Sequence, residues 1–155
     1  METKIHEVSP GIYRGARPER AGWEQMAAAG VRTVIDLDDN WFANQTESAF
    51  ASQLNIKLVQ APMSALLPPD DHAVNRVLAL LRNPALQPIF IHCELGRDRT
   101  GLIVGLHRIV NEGWEVSRAY QEMLHMGYRP LWLGLTSYFM WKTGFMAYAP
   151  EDFQK

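Results

Sequence analysis

The 155 residues contain one cysteine, Cys93, and that shortage excludes a good deal. No internal disulfide can form, so a fold stapled by disulfides is ruled out. The five histidines show no spacing with Cys93 that reads as a zinc site, so no metal is expected and no cofactor is called for. Long hydrophobic runs are also missing, since nothing approaches the roughly 20 apolar residues of a membrane-spanning helix and no membrane insertion is expected. The opening METKIHEVSP lacks the apolar core of a signal segment. A cytoplasmic location is therefore the default expectation, and it leaves room for a signal peptide already removed. Charge of one sign is lacking too. The net charge is −2 and the basic residues are scattered, without the basic face that nucleic acid demands.

What is present fits a soluble globular domain: 47% hydrophobic and 21% charged residues give enough apolar material for a core. With no internal repeat or low-complexity linker, the chain reads as one domain over residues 1–155, its tail from about 144 peripheral. A monomer is expected.

IHEV and GIYR read as short extended pieces around the Pro10-Gly11 turn. A helix is predicted from Pro18 to about Ala29, with Gly30 ending it. VRTVIDL, 31–37, has the continuous apolar character of a strand buried on both faces. DDNWFANQTES reads as a loop, followed by a helix to about Leu54, and IKLVQAP, 56–62, as the next strand. Asp70 or Asp71 would cap a helix carrying Val74, Val77, Leu78 and Leu81 at helical spacing. PIFIH is a strand, and helices follow from about Arg99 to Glu112, through Val116–Met123 and through LWLGLTSYFMW. This alternation predicts an α/β fold with a mainly parallel central sheet of four to five strands flanked by helices. Such sheets bind ligands at the carboxyl ends of their strands.

That rule puts CELGRDRT, between the PIFIH strand and a buried helix, at a binding edge. Backbone N–H groups in such a turn form a nest for an anion, and the helix N-terminus adds its positive end. Arg99 can grip two phosphate oxygens at once, Gly96 lets the backbone turn closely, and Gly101 lets the helix pack tightly. These surroundings favour the thiolate of Cys93, a nucleophile toward phosphorus. His92 orients the loop, and Thr100 is placed to donate its hydroxyl to the sulfur. A lone cysteine is more often a small buried hydrophobe, so the motif has to outweigh that reading. Five matching positions, each with a residue frequency under roughly one in ten, make coincidence about 1 in 100,000.

HCELGRDRTG resembles the H-C-x5-R-[ST]-G phosphate loop of the cysteine-dependent protein tyrosine phosphatase superfamily. GIYRGARP, VRTVIDL, QPIFIHC and the helices after them are similar to compact, atypical dual-specificity phosphatases. Nearest are the fungal and plant group acting on inositol pyrophosphates, and the cysteine phytases. The resemblance implies a phosphoric monoester hydrolase with a cysteinyl-phosphate intermediate. It also implies a phosphate-binding set of His92, Glu94, Leu95, Gly96, Arg97, Asp98 and Arg99. Most relatives carry the proton-donating aspartate roughly thirty residues before the cysteine. Here that position falls on Ala61, Pro62, Met63 and Ser64, none of them an acid. Asp98, inside the loop, is placed first as the acid and Asp70 second, with Asp71 also open. Trp41 and Phe42 are candidates for a wall of the site, and Arg17, Lys57, Arg76 and Arg129 for its lining. Arg97 adds a second cation, which suits a substrate bearing several phosphates. The expected substrate is an inositol polyphosphate. Alternatives are a phosphopeptide, making the chain a tyrosine or dual-specificity phosphatase, or no turnover at all in a phosphate-binding pseudophosphatase.

Overall fold

The computed structural model describes residues 4–147; the rest of the predicted peripheral tail, from residue 148, lies outside the described residues. Five strands form one sheet in the order β1-β2-β5-β3-β4. β1 (Ile5–Ser9) and β2 (Ile12–Gly15) make an antiparallel hairpin, and β3 (Thr33–Asp36), β4 (Lys57–Gln60) and β5 (Ile89–His92) run parallel to β2. The sheet is thus mainly parallel, with one antiparallel strand at its edge. The register aligns Gly15, His92, Asp36 and Gln60 in one row, so the parallel strands all end at the same edge.

Side-chain alternation divides the sheet's two faces. Val34 and Phe90 point to one, where Trp23 and Met26 of α1 (Arg20–Ala28) and Ala51 of α2 (Trp41–Leu54) cover them. Ile35, Ile89 and Ile91 point to the other, against α3 (Asp71–Leu81), α4 (Arg99–Val110), α5 (Val116–His125) and α6 (Leu133–Thr143). Each fully buried large side chain contributes about 1.5–3 kcal/mol, and nearly every apolar side chain of β3 and β5 is fully buried. Among the described residues, no helix is long and apolar enough to cross a membrane.

Three sequence expectations need correction. α1 begins at Arg20, not Pro18, and the Arg17 N–H is held by the Glu94 carbonyl at 3.1 Å. DDNWFANQTES is a loop only at its start. Asn40 caps α2 by accepting from the Ala43 N–H at 3.1 Å, so Trp41 and Phe42 form the exposed first turn of a helix. The first turns of that helix escaped the pattern because their buried face carries Asn44 and Glu47, while its second half was expected as a helix to about Leu54. Gly101 is not required for close packing, since an added Cβ would sit 3.5 Å from Tyr128, in ordinary contact. The tight approach is one turn later, where a Cβ on Gly105 would lie 2.5 Å from Met123 Sδ.

Candidate active site

Between His92, the last residue of β5, and Arg99, the first of α4, the chain turns through six residues, with Cys93 buried at its root. Gly96 makes the turn possible: its φ is +73°, and a Cβ there would come within 2.4 Å of the Gly15 carbonyl. From beneath, Arg14 of β2 donates Nη2 to the Gly96 carbonyl at 3.0 Å. Burial lowers the pKa of this guanidinium, against the charges of Glu122 and Cys93.

Arg99 is buried and oriented by three acceptors: Asp38 Oδ1 at 3.2 Å, Asp39 Oδ1 at 3.0 Å and the Met63 carbonyl at 3.1 Å. All three bonds use Nη1. No bond of the Nε and Nη2 donors to the described residues accompanies these, which leaves two donors of the fork unused. Thr100 is fully buried, and its hydroxyl has no partner among the described residues, so the expected bond to the Cys93 sulfur is not formed. Glu94, Leu95 and Arg97 are exposed around the turn.

Behind the loop lies a network that the sequence pattern did not show. His92 donates Nδ1–H to the Cys93 carbonyl at 2.9 Å and brings Nε2 to 2.8 Å from Glu47 Oε1. With Nδ1 as the donor, a neutral imidazole has only an accepting Nε2, and neither it nor Glu47 Oε1 has a hydrogen-bond partner among the described residues. Burial lowers the His92 pKa, which favours the neutral ring, and raises that of Glu47. Asp36, fully buried beside them, is pushed up to about 7 by burial and its bond to Glu47, with His92 opposing. Arg17 closes the group through Glu47 Oε2 at 2.5 Å, Asp38 Oδ2 at 2.8 Å and Asn44 Oδ1 at 2.8 Å. Burial alone would raise Asp38, but the Arg17 hydrogen bond and the Arg99 charge outweigh it and hold the carboxyl low. Asp36, Glu47 and His92 approach one another as metal ligands would, yet the Arg17 guanidinium already supplies the cation there.

The acid candidates have separate fates. Both oxygens of Asp98 accept from Arg129, Oδ1 from the backbone N–H at 2.9 Å and Oδ2 from Nη2 at 2.6 Å. Asp71 accepts from Tyr138 Oη and Lys142 Nζ, each at 2.7 Å. Asp70 caps α3 with Oδ2 alone, taking the Ala73 N–H at 3.0 Å. It also lines a cavity of about 200 Å³ whose wall includes Met63, the residue that holds Arg99. Of the four basic candidates, Arg17 and Arg129 are at the site. Lys57 opens β4 at the opposite edge of the sheet, and Arg76 lines a separate groove with Gln60 and Pro62. Asp38, Asp39, Glu47 and Arg14 were missed. An acid-rich DLDDN at the end of a strand neighbouring β5 was the available signal for the first two.

The family model described as DSP-PTPase phosphatase fused to NAD+ kinase matches residues 2–129. The dual specificity protein phosphatase TpbA of Pseudomonas aeruginosa is 30% identical over 125 residues, 80% of this chain and 55% of that protein. The inositol diphosphatase SIW14 of Saccharomyces cerevisiae is 35% identical over 116 residues, 72% of this chain and 41% of that protein. The chain thus spans about half the length of the curated relatives it matches. Among solved structures, the SIW14 catalytic core in complex with citrate superposes with a TM-score of 0.73 at 26% identity, covering 86% of this chain and 84% of that one. P. aeruginosa TpbA gives 0.73 at 28%, covering 87% and 82%.

Proposed function

Because the chain belongs to the atypical dual-specificity phosphatases, we propose that it is a cysteine-dependent phosphomonoesterase acting on inositol polyphosphates. The observation that carries the chemistry is the closed turn from Cys93 to Arg99, with a buried thiol at its root and two donors of the Arg99 fork unused at its end. The Cys93 thiolate attacks phosphorus, the S–P bond forms, and the P–O bond to the leaving alcohol breaks. An acid protonates that oxygen, then takes a proton from the water that cleaves the S–P bond and returns the thiolate. Both Asp98 oxygens are committed to Arg129, so we assign the acid to Asp70, which keeps one oxygen free. Asp98 becomes the anchor that ties the loop to the segment after α5. Thr100 remains the donor to the sulfur when it leaves.

Substrate class rests on the relatives named inositol diphosphatase and on the cations around the loop. A phosphopeptide substrate is the second reading, favoured by the exposed Trp41, Phe42, Leu66 and Leu67, and by a TpbA structure in complex with pTyr. A phosphate-binding pseudophosphatase would need Cys93 and Arg99 to be present without use. Phosphate release from a panel of inositol phosphates, inositol diphosphates and phosphopeptides, with Cys93→Ser as control, separates the three. We expect inositol phosphates to be turned over fastest. Faster peptide turnover reverses the first two readings, and no turnover of any substrate leaves the third.

A further inference from the structure

The sheet edge beside the phosphate loop holds a basic cavity, of about 220 Å³, that the reaction above does not use. Its walls come from the outer side of the turn (Leu95, Gly96, Arg97), the end of β2, and the residues entering β1. Lys4 and His6 face into it. Ile5, between them in sequence, lines a different cavity on the sheet's other side, as strand alternation requires. His6 sits directly opposite Arg14 in the hairpin register, and Arg14 also lines the cavity. Four basic side chains thus converge on one space, and none of its lining residues is acidic.

Arg14 gives the strongest indication of a ligand. It is 3% exposed, donates to the Gly96 carbonyl, and forms no ion pair among the described residues. The acid whose charge acts on it most, Glu122, is occupied by Arg108 through two bonds of 3.0 Å. A buried cation that forms no ion pair is costly, and the charges of Glu122 and Cys93 offset the burial of Arg14 only in part. An anion in the cavity adds to that offset. The volume is below the roughly 300–1,000 Å³ of pockets that enclose a whole small ligand, so it suits one group of a larger molecule.

We propose that this cavity is a subsite for a second, non-reacting phosphate of the substrate whose first phosphate lies over Cys93. The proposal rests on the phosphatase reading and narrows its substrate to molecules carrying at least two phosphates. Such a subsite supplies binding energy from a remote part of the substrate.

The test uses Lys4→Glu combined with His6→Gln, both at exposed positions outside the catalytic loop. p-Nitrophenyl phosphate, with one phosphate, is the reporter substrate, and inositol hexakisphosphate and inorganic phosphate are competitors. The variant should keep kcat/KM for the reporter within about twofold, while its inhibition constant for inositol hexakisphosphate rises about tenfold and that for inorganic phosphate does not. Lys4→Arg should behave as wild type. An unchanged hexakisphosphate constant, or an equal rise for both competitors, overturns the subsite. Wild-type protein that hydrolyses no inositol phosphate yet shows the selective loss would refute the substrate reading and keep the subsite. Turnover of inositol phosphates that is indifferent to the variant would do the reverse.

Discussion

His92 joins the buried polar network behind the loop to Cys93, because one nitrogen holds the Cys93 carbonyl and the other faces Glu47. The account requires that network to be folded with the Asp36 proton in place. A carboxyl whose pKa is raised on folding contributes stability that is full below its unfolded value and is lost as pH rises through its folded value. For Asp36 that window runs from about 3.8 to about 7. Urea unfolding of wild type and Asp36→Asn across this range should show the wild-type advantage shrinking as pH rises. An advantage that grows instead would mean an ionised Asp36 paired with Arg17. The neutral His92 has the opposite sign, its penalty appearing as pH falls below about 6.5. For the acid, Asp70→Asn should slow hydrolysis of an alkyl phosphate by about 100-fold or more and affect p-nitrophenyl phosphate little. Asp98→Asn should lower the two substrates in parallel, and a loss confined to the alkyl ester would return the acid to Asp98. Cys93 and Arg99 were legible because their spacing is local. Arg14 and Gly96 are 82 residues apart, and Arg99 and Asp38 61, so no local pattern could pair them.

Elements were legible where their buried face is apolar. α3 shows Val74, Val77, Leu78 and Leu81 buried, as periodicity predicts. α2 shows why periodicity fails near a site. The inward face of its first turns is spent on Asn44 and Glu47, which serve Arg17 and His92, so it reads as a polar loop. The crossing of α4 and α5 gives a sharper test, because Met123 is buried and has little room to move from Gly105. Gly105→Val should cost about 1–3 kcal/mol in urea unfolding, whereas Gly101→Ala should change stability by less than about 1 kcal/mol. Equal costs would mean that the two helices are not fixed at the observed distance.

For the whole molecule, alternating strands and helices gave the α/β class and the binding edge, but not which strands adjoin. β5 lies between β2 and β3, and that placement brings Arg14, Arg17, Asp36 and Asp38 around a loop some fifty or more residues away in sequence. Having one cysteine also has a consequence at this scale. An oxidised Cys93 has no partner within the chain with which to form a protective disulfide. Peroxide should abolish activity, an added thiol should restore it only before over-oxidation, and EDTA should leave it unchanged. Loss of activity with EDTA would contradict a mechanism built from side chains alone. All of this depends on Cys93 carrying the phosphoryl group. Rapid acid quench of wild-type protein with p-nitrophenyl phosphate, followed by peptide mass spectrometry, tests that most directly. The account predicts a phosphoryl adduct on Cys93 that forms within one turnover and is absent, along with turnover, in Cys93→Ser. Turnover that persists in Cys93→Ser, or proceeds in wild type with no adduct, would contradict it.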